Sequence, residues 1–129
     1  MPRASLLDTS VIIDAINDRH SRSDLLEQMI AQGILLACCP INITDVHMGM
    51  RPEEATSTEV FLDSLEFYPI TREIAKKAGT LYQLARKSGH TLALADLTIA
   101  AVAICNDLQL ATDNLKHFPL PGLNLYPLP

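Results

Sequence analysis

Along the chain, short runs of apolar and β-branched residues alternate with longer stretches of helical periodicity. The short runs are Ala4 to Leu7, Ile34 to Cys39, Phe67 to Ile70, Leu108 to Thr112 and Leu123 to Tyr126. Runs of this length predict strands. The clearest helical segment is Thr71 to Ser88, where Ile74, Ala78, Leu81, Tyr82 and Ala85 keep the i, i+4, i+7, i+8 spacing of one buried face. Thr71 is placed to cap its start and Gly89 to end it. Pro52 suits the first turn of another helix, with Glu53 and Glu54 favourable at its positive N-terminal end. A β-α alternation with four or five short strands is satisfied by a parallel sheet covered by helices on both faces. The expectation is one α/β domain over residues 1–129, with no internal linker and no repeat.

Composition narrows the class. With 129 residues, 48% apolar and 19% charged, the chain can bury a real core and is too apolar for a disordered tail. The longest strongly apolar stretch, Leu92 to Cys105, contains Asp96 and has 14 residues, short of a membrane span. Asp8 interrupts the opening MPRASLLDTSVIID where a signal peptide needs an unbroken apolar region. Cys38 and Cys39 are adjacent and Cys105 stands alone, a set without metal-type spacing. They read as small buried residues in a reducing cytoplasm, the expected location.

In parallel α/β sheets, ligands bind outside the carboxyl ends of the strands, so acids at those ends are the first candidates for chemistry. Asp8 follows the first strand directly, and Asp113 follows the fourth. Asp45 lies a few residues beyond the second, where a short helix is expected. Asp96 stands inside LALADLTIAAVAIC, where a lone carboxylate must be paired, capping, or bound to a metal. Each has a structural reading too. Asp8 can cap the helix starting around Thr9 or Ser10, and Asp113 can cap the turn from Leu115 to Phe118. Asp96 can serve the N-terminal turn of its helix with Thr91 as cap, and Asp45 can be a surface helix acid. Capping leaves unexplained why four acids fall where a parallel sheet would bring them together. Converging carboxylates repel, and a hard divalent cation removes the conflict. All-oxygen ligation without clustered His or Cys points to Mg²⁺ or Mn²⁺, a centre suited to activating water against a phosphodiester.

At these residues the chain resembles PIN-domain proteins, and more narrowly the VapC-type toxins of bacterial toxin–antitoxin pairs. The motifs are LLDTSVIID (Leu6 to Asp14), ITDVHMGMRPEE (Ile43 to Glu54), ADLTIAAVA (Ala95 to Ala103) and LATDNLKHF (Leu110 to Phe118), with the PGLNLYP tail behind. The resemblance implies a metal-dependent endoribonuclease on a five-stranded parallel sheet, with Mg²⁺ or Mn²⁺ as cofactor and transfer or ribosomal RNA as substrate. It carries metal ligation to Asp8, Asp96 and Asp113, and a place in the catalytic set to Asp45. The family usually has Glu at that last position, so the side chain here is one methylene shorter. Thr9, Ser10, Thr112 and Asn114 flank the acids, where they can orient them or bound waters, or simply serve as turn and cap residues. The resemblance also implies RNA cleavage to 5′-phosphate and 3′-hydroxyl ends, a homodimer, and an antitoxin whose C-terminal segment lies over a groove between helices. The stretch from Pro52 to Leu65, with Val60, Phe61, Leu62 and Leu65, can supply groove or dimer surface, or pack in the core.

Other readings fit less well. Phosphatases of the haloacid dehalogenase type want a second Asp two residues after the first, where this chain has Ser10. A receiver domain needs an acidic pair and a late Lys that the chain does not supply. His20, His47, His90 and His117 lie far apart, although His47 is two residues from Asp45. Two PIN-fold alternatives remain: an interaction protein with weakened catalysis, raised by Asp45, and a nuclease of RNA maturation.

The net charge of −5 disfavours RNA only until it is divided along the chain. Residues 1–70 carry net −7, residues 71–90 net +4 and residues 91–129 net −2. Arg72, Lys76, Lys77, Arg86 and Lys87 lie largely opposite the apolar stripe of the middle segment, as a phosphate-facing strip or as an ordinary solvated helix face.

Overall fold

The chain folds around a parallel sheet whose central strand is the first in sequence. In the computed structural model, β1 (Ala4–Leu7), β2 (Leu35–Cys38), β3 (Glu66–Phe67), β4 (Gln109–Ala111) and β5 (Asn124–Tyr126) are ordered β3-β2-β1-β4-β5, all parallel. The structure describes residues 4–126 and 128–129; Met1, Pro2, Arg3 and Pro127, which belongs to the PGLNLYP tail, lie outside the described residues. Six α-helices join the strands: α1 (Thr9–Ile16), α2 (Arg22–Ala31), α3 (Pro40–Gly49), α4 (Ala55–Asp63), α5 (Arg72–Lys87) and α6 (Leu94–Cys105).

Strand alternation divides the core into two layers. Leu6, Ala37 and Leu110 face the layer that α5 and α6 cover, with Ile74, Ala78, Leu81, Leu97 and Ile99. Leu7, Leu36, Cys38 and Ala111 face the opposite layer, with Val11, Ile12, Leu25, Leu26, Met29 and Leu62 from the other helices. Successive side chains of a strand point to opposite faces, so a parallel sheet buried on both sides needs apolar residues at consecutive positions. Helix α6 is buried along Leu97 to Ala103, which accounts for its nearly unbroken apolar sequence.

The strands fall where the apolar runs predict them, with one shift. The third is Glu66–Phe67 rather than Phe67 to Ile70. Tyr68 still donates its N–H to the Cys38 carbonyl at 2.9 Å, but β2 ends at Cys38 and the chain turns into α3 at Pro40, so the ladder has no further strand to pair with. Helix α5 matches its expected span, and the Thr71 hydroxyl accepts from the Ile74 N–H at 3.2 Å. Gly89, after its end, takes φ +82°, the left-handed conformation that glycine adopts without strain. Tyr82 is 41% exposed rather than on the buried face. At about 100° per residue it stands roughly 80° from Ile74, at the edge of the stripe that Leu81 and Ala85 occupy. Pro52 opens a single 3₁₀ turn, Pro52–Glu54, ahead of α4. In the Pro52 to Leu65 stretch Leu62 and Leu65 pack in the core, Phe61 lies half-buried against it, and Val60 is exposed.

The chain order places the site. From β1 the chain proceeds through β2 to β3 on one side, then returns to β4 on the other. The order therefore switches direction between β1 and β4, and such a point opens a crevice at the carboxyl ends of the strands.

Candidate active site

Asp8 stands at that switch point. Its backbone N–H continues the β1–β4 ladder by donating to the Ala111 carbonyl at 2.9 Å, and its side chain caps α1 by accepting from the Thr9 N–H at 2.9 Å. Its second oxygen accepts from the Thr112 hydroxyl at 2.6 Å. Asp8 is 5% exposed and Thr112 is 1% exposed, so this short bond holds the carboxylate in a fixed direction. The Thr112 hydroxyl in turn accepts from the Asn114 N–H at 2.9 Å. Capping and site membership are thus both properties of Asp8.

Asp45 reaches the same place from α3. Its Oδ2 accepts from the Thr9 hydroxyl at 2.9 Å, so Thr9 bridges the first acid, through its amide, and the second, through its side chain. Behind them, Asn42 is fully buried; its Nδ2 donates to the Leu7 carbonyl and to Thr9 Oγ1, each at 3.1 Å, and its Oδ1 accepts from the Cys39 N–H at 2.8 Å. This amide fastens the start of α3 to the end of β1.

Asp96 enters from the first turn of α6, where the helix dipole favours a negative charge. Its helix begins later than expected: the cap is Ala93, which offers no side-chain bond, and Thr91 lies outside it. Burial pushes the Asp96 carboxyl above its ordinary pKa, and the negative charges of Asp8 and Asp45 push in the same direction. His117 opposes them, with Nδ1 3.5 Å from Asp96 Oδ2. Burial is the larger cause, and the two neighbouring carboxylates add to it.

Asp113, two residues beyond β4, is paired with a cation. It does not cap the turn after it, whose cap is Asn114; its Oδ1 accepts from Nη2 of Arg22. Ser10 Oγ is buried with no hydrogen-bond partner, and Asn114 joins through its backbone. His47 faces Glu59 at 2.6 Å and not Asp45. Asn42, Arg22 and His117 enter the site without having been singled out in the sequence. Only Asn42 had a local signal, three residues after Cys39 and two after Pro40, where a buried amide can close a helix start.

Among the described residues, no three His, Cys, Asp or Glu side chains are gathered closely enough to chelate one metal ion by themselves. The donor chemistry nonetheless fits a hard divalent cation. The groups are carboxylate oxygens at a half-buried edge, they repel one another, and Mg²⁺ commonly uses one or two carboxylates and retains water.

A switch-point crevice with acids on β1, α3 and α6 places the chain in a defined class: it matches the PIN domain over residues 5–119 and belongs to that family. Within the family it is similar to Ribonuclease VapC10 of Mycobacterium tuberculosis H37Rv, with 34% identity over 115 residues, covering 89% of this chain and 86% of the relative. The fold superposes on VapBC2 from Rickettsia felis, bound to a DNA fragment from their promoter, with a TM-score of 0.82 and 27% identity over 95% of this chain and 97% of that one. A toxin–antitoxin complex from Klebsiella pneumoniae gives a TM-score of 0.78 at 28% identity, over 96% and 99%. The expected fold and family are therefore both found.

Proposed function

We propose that this protein is a VapC-type endoribonuclease, the toxin of a toxin–antitoxin pair, which hydrolyses RNA phosphodiester bonds with Mg²⁺ or Mn²⁺ as cofactor. The observation that carries this reading is the placement of Asp8, Asp45 and Asp96 at the switch point of a PIN-family sheet, with Asp8 and Asp45 joined through Thr9 and Asp96 on the first turn of α6. Asp8 and Asp96 would hold such an ion, with Asp45 beside them; the resemblance adds Asp113, whose carboxylate is here bonded to Arg22. When bound, such an ion supplies activation of a water nucleophile and neutralises charge that builds on the scissile phosphate. Thr112 and the Thr9 amide fix the direction of Asp8, and the Thr9 hydroxyl fixes Asp45.

The substrate class proposed is single-stranded or loop RNA of transfer or ribosomal type, cut to 5′-phosphate and 3′-hydroxyl ends. Arg72, Lys76, Arg86 and Lys87 are exposed along α5 and offer contacts to its backbone. The partner proposed is a protein antitoxin, in keeping with the complexes that its structural relatives form. A second copy of the chain is also proposed. Among the described residues no helix is long and apolar enough to cross a membrane, and a cytoplasmic location belongs to the same proposal.

The test is sequencing of RNA ends after brief induction in cells, with Asp96→Ala as control. The reading requires new 5′-phosphate ends at a few RNA sites and growth arrest, both abolished by the substitution. Cleavage that persists in Asp96→Ala would remove Asp96 from the mechanism.

A further inference from the structure

Arg22 is the one buried cationic side chain among the described residues, with 6% exposure. It is the first residue of α2 and follows a turn in which Asp18, His20 and Ser21 take φ of 53°, 56° and 54°. Asp and His tolerate left-handed backbone better than most residues, whereas Ser21, at the helix cap, makes no side-chain cap bond to offset it. The start of α2 is instead tied inward through the Arg22 side chain, whose Nη2 donates to Asp113 Oδ1 across 91 residues of sequence. Arg22 Nε is enclosed without a hydrogen-bond partner.

A buried guanidinium needs a negative partner at all times, because an uncompensated charge there is strongly destabilising. Asp113 is the one carboxylate bonded to Arg22 among the described residues. A divalent ion on the same carboxylate would place a second cation beside a guanidinium that cannot move into water. Asp113 also adjoins Thr112, whose hydroxyl directs Asp8. Arg22 thus acts on Asp8 through the loop after β4.

We infer that Arg22 is a positioning residue of this site, which binds Asp113 as a standing counterion and keeps it out of direct metal ligation, leaving Asp8 and Asp96 as the ligands. The inference rests on the metal-dependent reading above. It assigns Asp113 a task different from the one the family resemblance implies. It also lowers the negative charge of the acidic edge by one, which eases the approach of an RNA phosphate.

The experiment is Mn²⁺ binding to the purified full chain by calorimetry or electron paramagnetic resonance, with thermal unfolding of each variant in parallel. Asp8→Ala weakens Mn²⁺ binding by about tenfold or more, whereas Asp113→Asn changes it by less than about threefold while lowering Tm. Arg22→Met releases Asp113 and tightens Mn²⁺ binding by about tenfold while lowering Tm. The double variant Arg22→Met with Asp113→Asn regains part of the Tm lost by Asp113→Asn alone, because removing both charges leaves neither unpaired. Should Arg22→Met fail to fold, the double variant decides: affinity within about threefold of the parent supports the inference, and a tenfold loss overturns it. A loss in Asp113→Asn equal to that in Asp8→Ala overturns the role given to Arg22 and leaves the metal site standing. Equal Mn²⁺ affinity in the parent and Asp8→Ala overturns the metal site and this inference with it.

Discussion

Replacing Asn42 with Leu removes the joint between β1 and α3 while nearly preserving volume. Three hydrogen bonds are lost: the one accepted from the Cys39 N–H, and those donated to the Leu7 carbonyl and the Thr9 hydroxyl. Each bond contributes about 1 kcal/mol net, and a buried amide or carbonyl left without a partner costs about 1–3 kcal/mol more. Against this stands the favourable burial of an apolar side chain, about 1.5–3 kcal/mol. A net loss of about 3 kcal/mol follows, and for a chain of 129 residues that corresponds to a Tm lower by about 10 °C. Circular dichroism melting measures it directly. RNA cleavage, assayed well below the transition, falls as well, because Thr9 loses the donor that orients its hydroxyl toward Asp45. Asn42→Asp separates charge from shape: it keeps the acceptor facing Cys39 but adds a buried negative group near Asp45. Its destabilisation is therefore larger at pH 7 than at pH 5, where the new carboxyl can remain protonated. An Asn42→Leu protein melting within about 2 °C of the parent would refute the idea that this amide holds the site together.

Three further outcomes follow from the same geometry. In metal-free protein, Asp96→Asn raises Tm at neutral pH, since it removes a charge that burial and the Asp8 charge disfavour. A folded pKa above the unfolded one stabilises only below the unfolded value and is lost as pH rises through the folded one, so the gain of Asp96→Asn shrinks as pH is lowered; a Tm loss at pH 7 without metal would contradict the repulsion. Cys105 is exposed and reacts with a thiol reagent in the native state, whereas Cys38 and Cys39 react only on unfolding. Burial, with the adjacent Cys39, raises the Cys38 thiol to about 11, so its share of stability is present below pH 9 and is lost as pH rises towards 11. Fast labelling of all three thiols at pH 8 would show that β2 opens. Asp45→Glu preserves or raises metal-dependent cleavage, read with a fluorogenic RNA, because the longer acid extends further toward Asp96; total loss would show that the Thr9 bond requires the shorter side chain.

The parts of the fold that follow from one-dimensional pattern were legible in the sequence. Apolar runs located all five strands; strand ends singled out Asp8, Asp113 and, a little further on, Asp45, and a lone acid in an apolar helix singled out Asp96, before any geometry was available. Boundaries were less legible where a partner strand decides them, as the end of β2 at Cys38 does for β3. Least legible were partners far apart in sequence. Arg22 meets Asp113 across 91 residues, and nothing around Arg22 distinguishes it from a solvated helix residue until the turn before it is seen to direct it inward. His117 likewise reads as a loop residue, and only the fold brings it to Asp96. Ser10, chosen for its place beside Asp8, makes no hydrogen bond. Adjacency in sequence puts its side chain on a different face of the first helical turn from Thr9.

The most direct test of the central claim is cleavage of an RNA oligonucleotide by purified protein in Mg²⁺, Mn²⁺ or a chelator, comparing the parent with Asp8→Asn. Asparagine keeps the oxygen that accepts from the Thr9 N–H, and its amide can donate to Thr112 in place of accepting, so the fold is retained while the charge is removed. The account predicts cleavage that depends on the divalent ion and falls by about a hundredfold or more in Asp8→Asn, with its Tm in metal-free buffer close to the parent's. Equal cleavage by the two proteins, or cleavage unaffected by the chelator, would contradict it.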